Sequence, residues 1–483
     1  GGFAPADERL IMAGLAALAA GLALILASAS AQWCPRVIEV VPPCDLPTKG
    51  SVGDRAVLTA SIGYVLQRCP RARVIVSTFK VQLNALAEKH GAAIETVPRP
   101  MSGQERKRRG VEAIYLLGTD VVDLRYHREF AEVLRSVHTA SLQMRAGVVS
   151  FSFERVRNYP VTLGLFDHAR NPVFLRPRNL VDCQLVSKLA AACAAPAEGG
   201  GPCPLIEETR DVAFLIAPGT APRADLTWAE AQRSAGRRLL GANLFQYDGG
   251  RNGSLTFERL ASGIFPTELC KILRRNVSLL LIPHDFRKSR FPRSRFSDDG
   301  DYHRAIERAA KNKCPGAARG HIRTFMEGRP YDPTQSRALI PKLDGVMSNY
   351  MHLLIISASA GVPGLAFASQ GKFYSLQRDL YGATLKDRVT VPASDAYHPD
   401  GRLSWLAMKF LNAHAARAKI ALGKRLPEVR ARAERNFDWL FLPKEKVARL
   451  GQRDPPHARQ ASAASGNAAG NGQSACQCNS APG

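Results

Sequence analysis

The chain has no CxxC pair among its ten cysteines. That spacing is what gathers thiolates around zinc, so a zinc site is not expected. The chain carries more than one basic run. The densest one, Glu105 to Arg109, offers no ring for a base to stack on, and nucleic acid is set aside as a partner. No short-period repeat is visible, which removes solenoids and propellers. No motif for a nucleotide base pocket or diphosphate site appears. Acidic residues are in deficit, 42 Asp+Glu against 66 Lys+Arg, for a formal charge of +24. The excess favours anionic partners such as phosphorylated donors, acidic glycans or membrane surfaces. Basic residues spread over solvated faces would give the same number.

One segment lacks charge altogether. Leu10 to Ala31 runs 22 residues without an ionisable side chain, enough for a helix of about 30 Å. It reads as a transmembrane signal anchor, or as a signal peptide cleaved among Ala27 to Ala31. The expected locations are a single-pass membrane protein facing a Golgi-like lumen, or a secreted or periplasmic one if the segment is removed. The cysteines fit an oxidising lumen, with Cys34 and Cys44 placed to close a small loop. Asn252 and Asn276 head glycosylation sequons, and Asn276 abuts a buried strand.

After the apolar run, residues 32–50 are Pro-rich and read as a stem. From residue 51, short apolar runs alternate with helical patterns, which predicts parallel, doubly wound sheets. Strands are expected at 73–77, 93–97, 113–117, 147–151, 212–216, 239–244, 278–282 and 321–325. The fold class is α/β, with two Rossmann-like domains facing a cleft, at 51–220 and 221–445, preceded by the transmembrane helix at 1–31. A disordered tail is expected at 446–483. The basic cluster 105–109 reads as a solvated loop.

The stretch Gly345 to Lys372 carries most information. It predicts a buried strand, a polar Ser348-Asn349 break, a helix opening at Met351-His352, a Gly361-Val362-Pro363 stop and a second strand ending near Lys372. A helix start attracts anions. Sheets of this kind bind ligands beyond strand carboxyl ends, where His352 and Lys372 could converge. His284 and Asp285 follow the strand LLLIP in the same way, ahead of a loop with Arg287. Asp54 and Asp120 sit after Gly-containing turns, as ligands of a sugar hydroxyl or as plain helix caps. Ser297-Asp298-Asp299 reads as a cap.

His352, Gly361-Val362-Pro363 and Lys372 keep the spacing of a pattern in the polysaccharide pyruvyl transferases, and the chain resembles that family. Tyr350 stands where the family has an Arg. Further pieces follow in the family's order: Gly50 to Asp54 (with Ser51 for the usual Asn), Glu112 to Asp123, Ser150 to Glu154, Arg210 to Pro218 and Leu279 to Arg287. The resemblance implies a GT-B-like arrangement and transfer of pyruvate from phosphoenolpyruvate onto sugar hydroxyls of a glycan as a ketal, with no cofactor and no metal. On it, His352, His284 and Asp54 are catalytic candidates. Lys372, Arg287, Tyr350 and Asn349 are donor-binding candidates, and Asp120 and Asp285 would meet the acceptor. The alternatives are a nucleotide-sugar glycosyltransferase of GT-B-like fold and a catalytically inactive glycan-binding homologue.

Overall fold

The computed structural model describes residues 33–42, 50–77, 88–91, 93–97, 101–118, 144–152, 173–178, 184, 205–244, 257–287 and 296–447, apart from 370, 399 and 444. The first half forms β1 (Val37–Val41), α1 (Val52–Arg68), β2 (Arg73–Ser77), β3 (Ile94–Val97), α2 (Gly103–Arg109), β4 (Ala113–Leu117), β5 (Arg145–Phe151), β6 (Val173–Pro177) and β7 (Leu205–Ile206). These seven strands make one sheet in the order β3-β2-β1-β4-β5-β6-β7, and every pairing is parallel. The second half forms α3 (Arg223–Ser234), β8 (Arg238–Asn243), α4 (Phe265–Leu273), β9 (Val277–Leu281), α5 (Asp299–Lys313), β10 (Ile322–Thr324), β11 (Gly345–Ser348), α6 (Met351–Ser359), β12 (Gly364–Ala368), α7 (Gly371–Tyr381), β13 (Thr390–Pro392) and α8 (Ala415–Glu434). Its sheet runs β10-β9-β8-β11-β12-β13, again wholly parallel. Both sheets are doubly wound. Their order reverses between β1 and β4 and between β8 and β11, the points at which such sheets open a crevice for ligands.

Strands covered on both faces must be apolar throughout. β4, β5, β9 and β12 are buried at every residue. β1 carries one exception, Glu39, which is fully buried. Its carboxylate accepts from Arg106 Nε at 2.6 Å and from Ser77 Oγ at 2.5 Å.

Several expectations are corrected. Val37–Val41, expected as part of a stem, is a central strand, paired with β2 and β4. The basic cluster is helical. Ser102 caps α2, Gly110 ends it in the left-handed conformation, and Arg106 is buried against Glu39. The apolar run at 212–216 is a single 3-10 turn, Val212–Leu215, because Asp211 caps it by accepting from Ala213 N–H. Cys34 bonds to Cys69 and not to Cys44, and Cys270 bonds to Cys314. Helix α8 continues through Pro427. The boundary at 445 also moves, because the chain after α8 returns to the first sheet. Trp439 stacks on Phe174 with centroids 5.0 Å apart, and Asn436 Oδ1 accepts from Ser150 N–H at 2.8 Å.

Among the described residues no helix is long and apolar enough to cross a membrane. The segment 10–31, Asp120, Asn252 and the tail beyond 447 lie outside the described residues.

Candidate active site

The two crevices meet. α1 leaves β1 and α6 leaves β11, and their first turns are in contact. A Cβ placed on Gly53 would lie 2.2 Å from His352 Nδ1, so this approach requires glycine. A second contact runs beside it. Val52 N–H donates to the His284 carbonyl at 2.9 Å and Phe286 N–H donates to the Gly50 carbonyl at 3.2 Å, around an antiparallel bridge between Ser51 and Asp285. Arg55 Nη2 adds a third tie, donating to the Tyr331 carbonyl at 2.6 Å.

His352 stands in the first turn of α6. Its Nε2 is 3.5 Å from Asp211 Oδ2, an ion-pair distance longer than a good hydrogen bond. The same oxygen accepts from Arg178 Nη1 at 2.8 Å, and Arg178 also reaches Ser152 Oγ. Burial opposes the charge on Asp211. His352, Arg178 and the Ala213 N–H overcome it and hold the carboxyl down at about 2. An ionised carboxylate therefore faces the imidazole. Behind it, Ser150 has a φ of 57° at a register shift in the β5–β6 pairing. That conformation is uncommon for a non-glycine residue. It is fixed by Asn436 on the Ser150 N–H and by Val212 N–H donating to Ser150 Oγ at 3.0 Å.

His284 follows β9 and is fully buried. Neither ring nitrogen has a hydrogen-bond partner. Its ring centroid is 5.1 Å from that of Tyr350. Burial pushes the imidazole well below its ordinary range, and the positive fields of His352, Arg55 and Arg287 push the same way. It is a neutral ring within reach of several cationic groups. A buried polar group left without a partner costs free energy unless something fills its place.

Tyr350 occupies the N-cap position of α6 and gives no side-chain cap, while Ser348 Oγ accepts from Tyr350 N–H at 2.8 Å. Asn349 is half-buried beside it.

The loop after β9 is held from beneath. Asp299 Oδ2 accepts from the N–H groups of His284 and Asp285, both at 3.1 Å, and lies 3.5 Å from Asn243 Nδ2. Burial, and then the charge of Asp285, push the Asp299 carboxyl up to about 7 against those donors. Asp298, not Asp299, caps α5, through the Asp301 N–H. Burial lowers His303 to about 4, and its Nε2 accepts from Leu244 N–H at 3.1 Å.

The other candidates have defined places. Ser51 caps α1, its Oγ 3.4 Å from Asp54 N. Asp54 is therefore not the cap, and it sits half-buried close enough to support the charge of Arg287. Asp285 is occupied by Arg287, whose Nε lies 2.8 Å from Oδ1 and 3.0 Å from Oδ2. Burial works against the Arg287 cation, but this hold raises it above its ordinary range. Lys372 is not at a strand end but in the first turn of α7, four residues past the end of β12. His352, His284, Tyr350, Asp54, Asp285 and Arg287 thus share one crevice. Asp211, Arg178, Arg55 and Asp299 join them without having been singled out for it. The Asp-x-Ala-Phe-Leu piece at 211–215 was the one signal for Asp211. Among the described residues no group of His, Cys, Asp and Glu is arranged to hold a metal ion.

No protein-family model matches the chain, and no curated protein matches it. Solved structures of similar outline include the N-terminal domain of trehalose-6-phosphate phosphatase from Candida albicans (10% identity, 86% of this chain and 98% of that one, TM-score 0.48). Another is the trehalose 6-phosphate synthase of Burkholderia multivorans (13% identity, 90% and 100%, TM-score 0.47). A glycosyltransferase of Rickettsia africae is a third (10% identity, 85% and 98%, TM-score 0.46). Likenesses this distant leave the chemistry to be argued from the side chains.

Proposed function

We propose that the chain is a transferase acting on glycans, and that it moves the enolpyruvyl unit of phosphoenolpyruvate onto two sugar hydroxyls to form a pyruvate ketal. The observation that carries the reading is His284. A fully buried imidazole with both nitrogens unpartnered, in the fields of His352, Arg55 and Arg287, is a place for an anion to complete. The uncapped first turn of α6 adds backbone donors on the same side. The resemblance around His352 and Lys372 makes phosphoenolpyruvate the anion of choice.

In this reading His352, with the Asp211 carboxylate beside it, delivers a proton to the methylene carbon of the donor. The first sugar hydroxyl attacks the adjacent carbon, with Asp54 placed to receive its proton. Phosphate leaves with the electron pair of its C–O bond. The second hydroxyl then attacks the same carbon, and its proton goes to the departing phosphate or to the emptied imidazole. His284 stays neutral and works as a hydrogen-bonding group rather than an acid. Arg287, bound to Asp285, supplies positive charge to the donor. Two disulfides suit a protein working in an oxidising lumen, and the 10–31 segment is proposed as its membrane anchor or cleaved leader.

A nucleotide-sugar glycosyltransferase is the second reading. Tyr350 favours it, because a ring stands where a phosphoenolpyruvate site would be better served by an Arg. The two readings separate in one assay. The protein is incubated with an oligosaccharide panel and either phosphoenolpyruvate or UDP-sugars, and products are read by mass and by released phosphate or UDP. Phosphate release with a ketal product supports the first reading. UDP release with a lengthened glycan overturns it.

A further inference from the structure

Away from the crevice, a cavity of about 200 Å³ lies between α7, α8 and the segment carrying Glu208 and Arg210. Four arginines and three carboxylates line it. On α8, Arg425, Glu428 and Arg432 fall three and four residues apart and so share one face of the helix.

The carboxylates are already paired. Arg210 Nε lies 3.1 Å from Asp379 Oδ2, and Arg210 Nη1 pairs with Glu208. Arg432 Nη2 lies 2.6 Å from Glu428 Oε1. The remaining two cations, Arg378 and Arg425, are exposed and form no ion pair among the described residues. Arg425 makes one long contact, Nη1 to the Asp379 carbonyl at 3.5 Å. Its guanidinium is laid against Gly382, which has a φ of +81° and where an added Cβ would come within 3.2 Å of Nη2. The absence of a Cβ there leaves room for the guanidinium.

A concave site whose carboxylates are already paired and which has two further guanidiniums suits an oxyanion, because guanidinium forks match phosphate, sulfate and carboxylate. We infer that this cavity is a second anion-binding site, taking a free oxyanion or the acidic group of a glycan between Arg378 and Arg425. It is independent of the identity of the donor in the crevice.

The test is calorimetric titration of the full chain with inorganic phosphate and, separately, with a sulfated disaccharide. Titrations are repeated in His352→Ala, in Arg378→Ala/Arg425→Ala and in Arg425→Glu, each checked for wild-type thermal stability. The inference predicts that His352→Ala retains binding of at least one probe. It predicts that the double variant and Arg425→Glu weaken that binding about tenfold or more. Preference for phosphate assigns the site to a free ion, and preference for the disaccharide assigns it to a glycan. Binding that vanishes in His352→Ala, or that survives both arginine variants unchanged, would overturn the inference.

Discussion

His352 and Asp211 come from different halves of the chain, and their pairing makes opposite demands on pH and on activity. His352→Ala is expected to lower kcat by roughly 10²–10⁴, the usual worth of a positioned acid, with little loss of thermal stability. Asp211→Asn should also slow turnover and should reshape the pH–rate profile, which a purely structural role would leave alone. The folded Asp211 carboxyl, held at about 2, lies below its unfolded value of about 3.9. Its contribution to stability is complete above about pH 4 and is lost as pH falls toward 2. Asp299 runs the other way. Its folded value near 7 means that stability is greatest at low pH and falls as pH rises between about 4 and 7. Asp299→Asn should flatten that slope in urea titrations run across the range, while its amide oxygen still accepts from the His284 and Asp285 N–H groups. His352 and His284 were legible because each follows an apolar strand, where α/β sheets place their ligands. Asp299 was legible only as a cap, since its work is done on backbone donors fourteen and fifteen residues earlier, a relation no local pattern carries.

At the scale of elements, α1 and α6 depend on one missing side chain. Ala is a better helix former than Gly by about 1 kcal/mol, so Gly53→Ala should help α1 in isolation. In the protein its methyl would meet the His352 side chain at 2.2–2.8 Å. Overpacking of this kind costs about 1–3 kcal/mol. The expected result is a lower Tm together with loss of donor binding, and unchanged binding would argue against the contact. The parallel strands were easy to read because strands buried on both faces are unbroken apolar runs. Val212 to Ile216 imitated such a run, but the Asp211 cap turns it into a 3-10 turn. β1 was missed for the opposite reason. Its five residues contain Glu39, and only the distant Arg106 and Ser77 make that charge tolerable. The signals for α2 were present in Ser102 and Gly110, but the density of charge between them reads as solvent-exposed.

The whole molecule is tied across its midline more than once. The return of 436–442 onto the first sheet places Trp439 against Phe174 and Asn436 against Ser150, Thr209 and Arg210. Trp439→Ala is expected to cost about 3–5 kcal/mol and to lower the stability of the first domain, seen as faster proteolytic cleavage within it. Reducing the Cys34–Cys69 and Cys270–Cys314 bonds, which close loops of 35 and 44 residues, should remove about 2–4 kcal/mol each, seen as a drop in Tm with reductant. The doubly wound halves could be read from strand and helix alternation. That their crevices close on Gly53 and His352, with Asp211 delivered from the linking segment, could not, because it is set by contacts between residues hundreds of positions apart.

The central claim is that an anionic donor sits between His284 and His352. Its most direct test is calorimetric titration of the folded chain with phosphoenolpyruvate at low salt, in the wild type, His352→Ala and His284→Ala. The account predicts saturable binding in the wild type that is strongly weakened in both variants. Absence of binding in folded wild-type protein, or equal binding in all three, would contradict it.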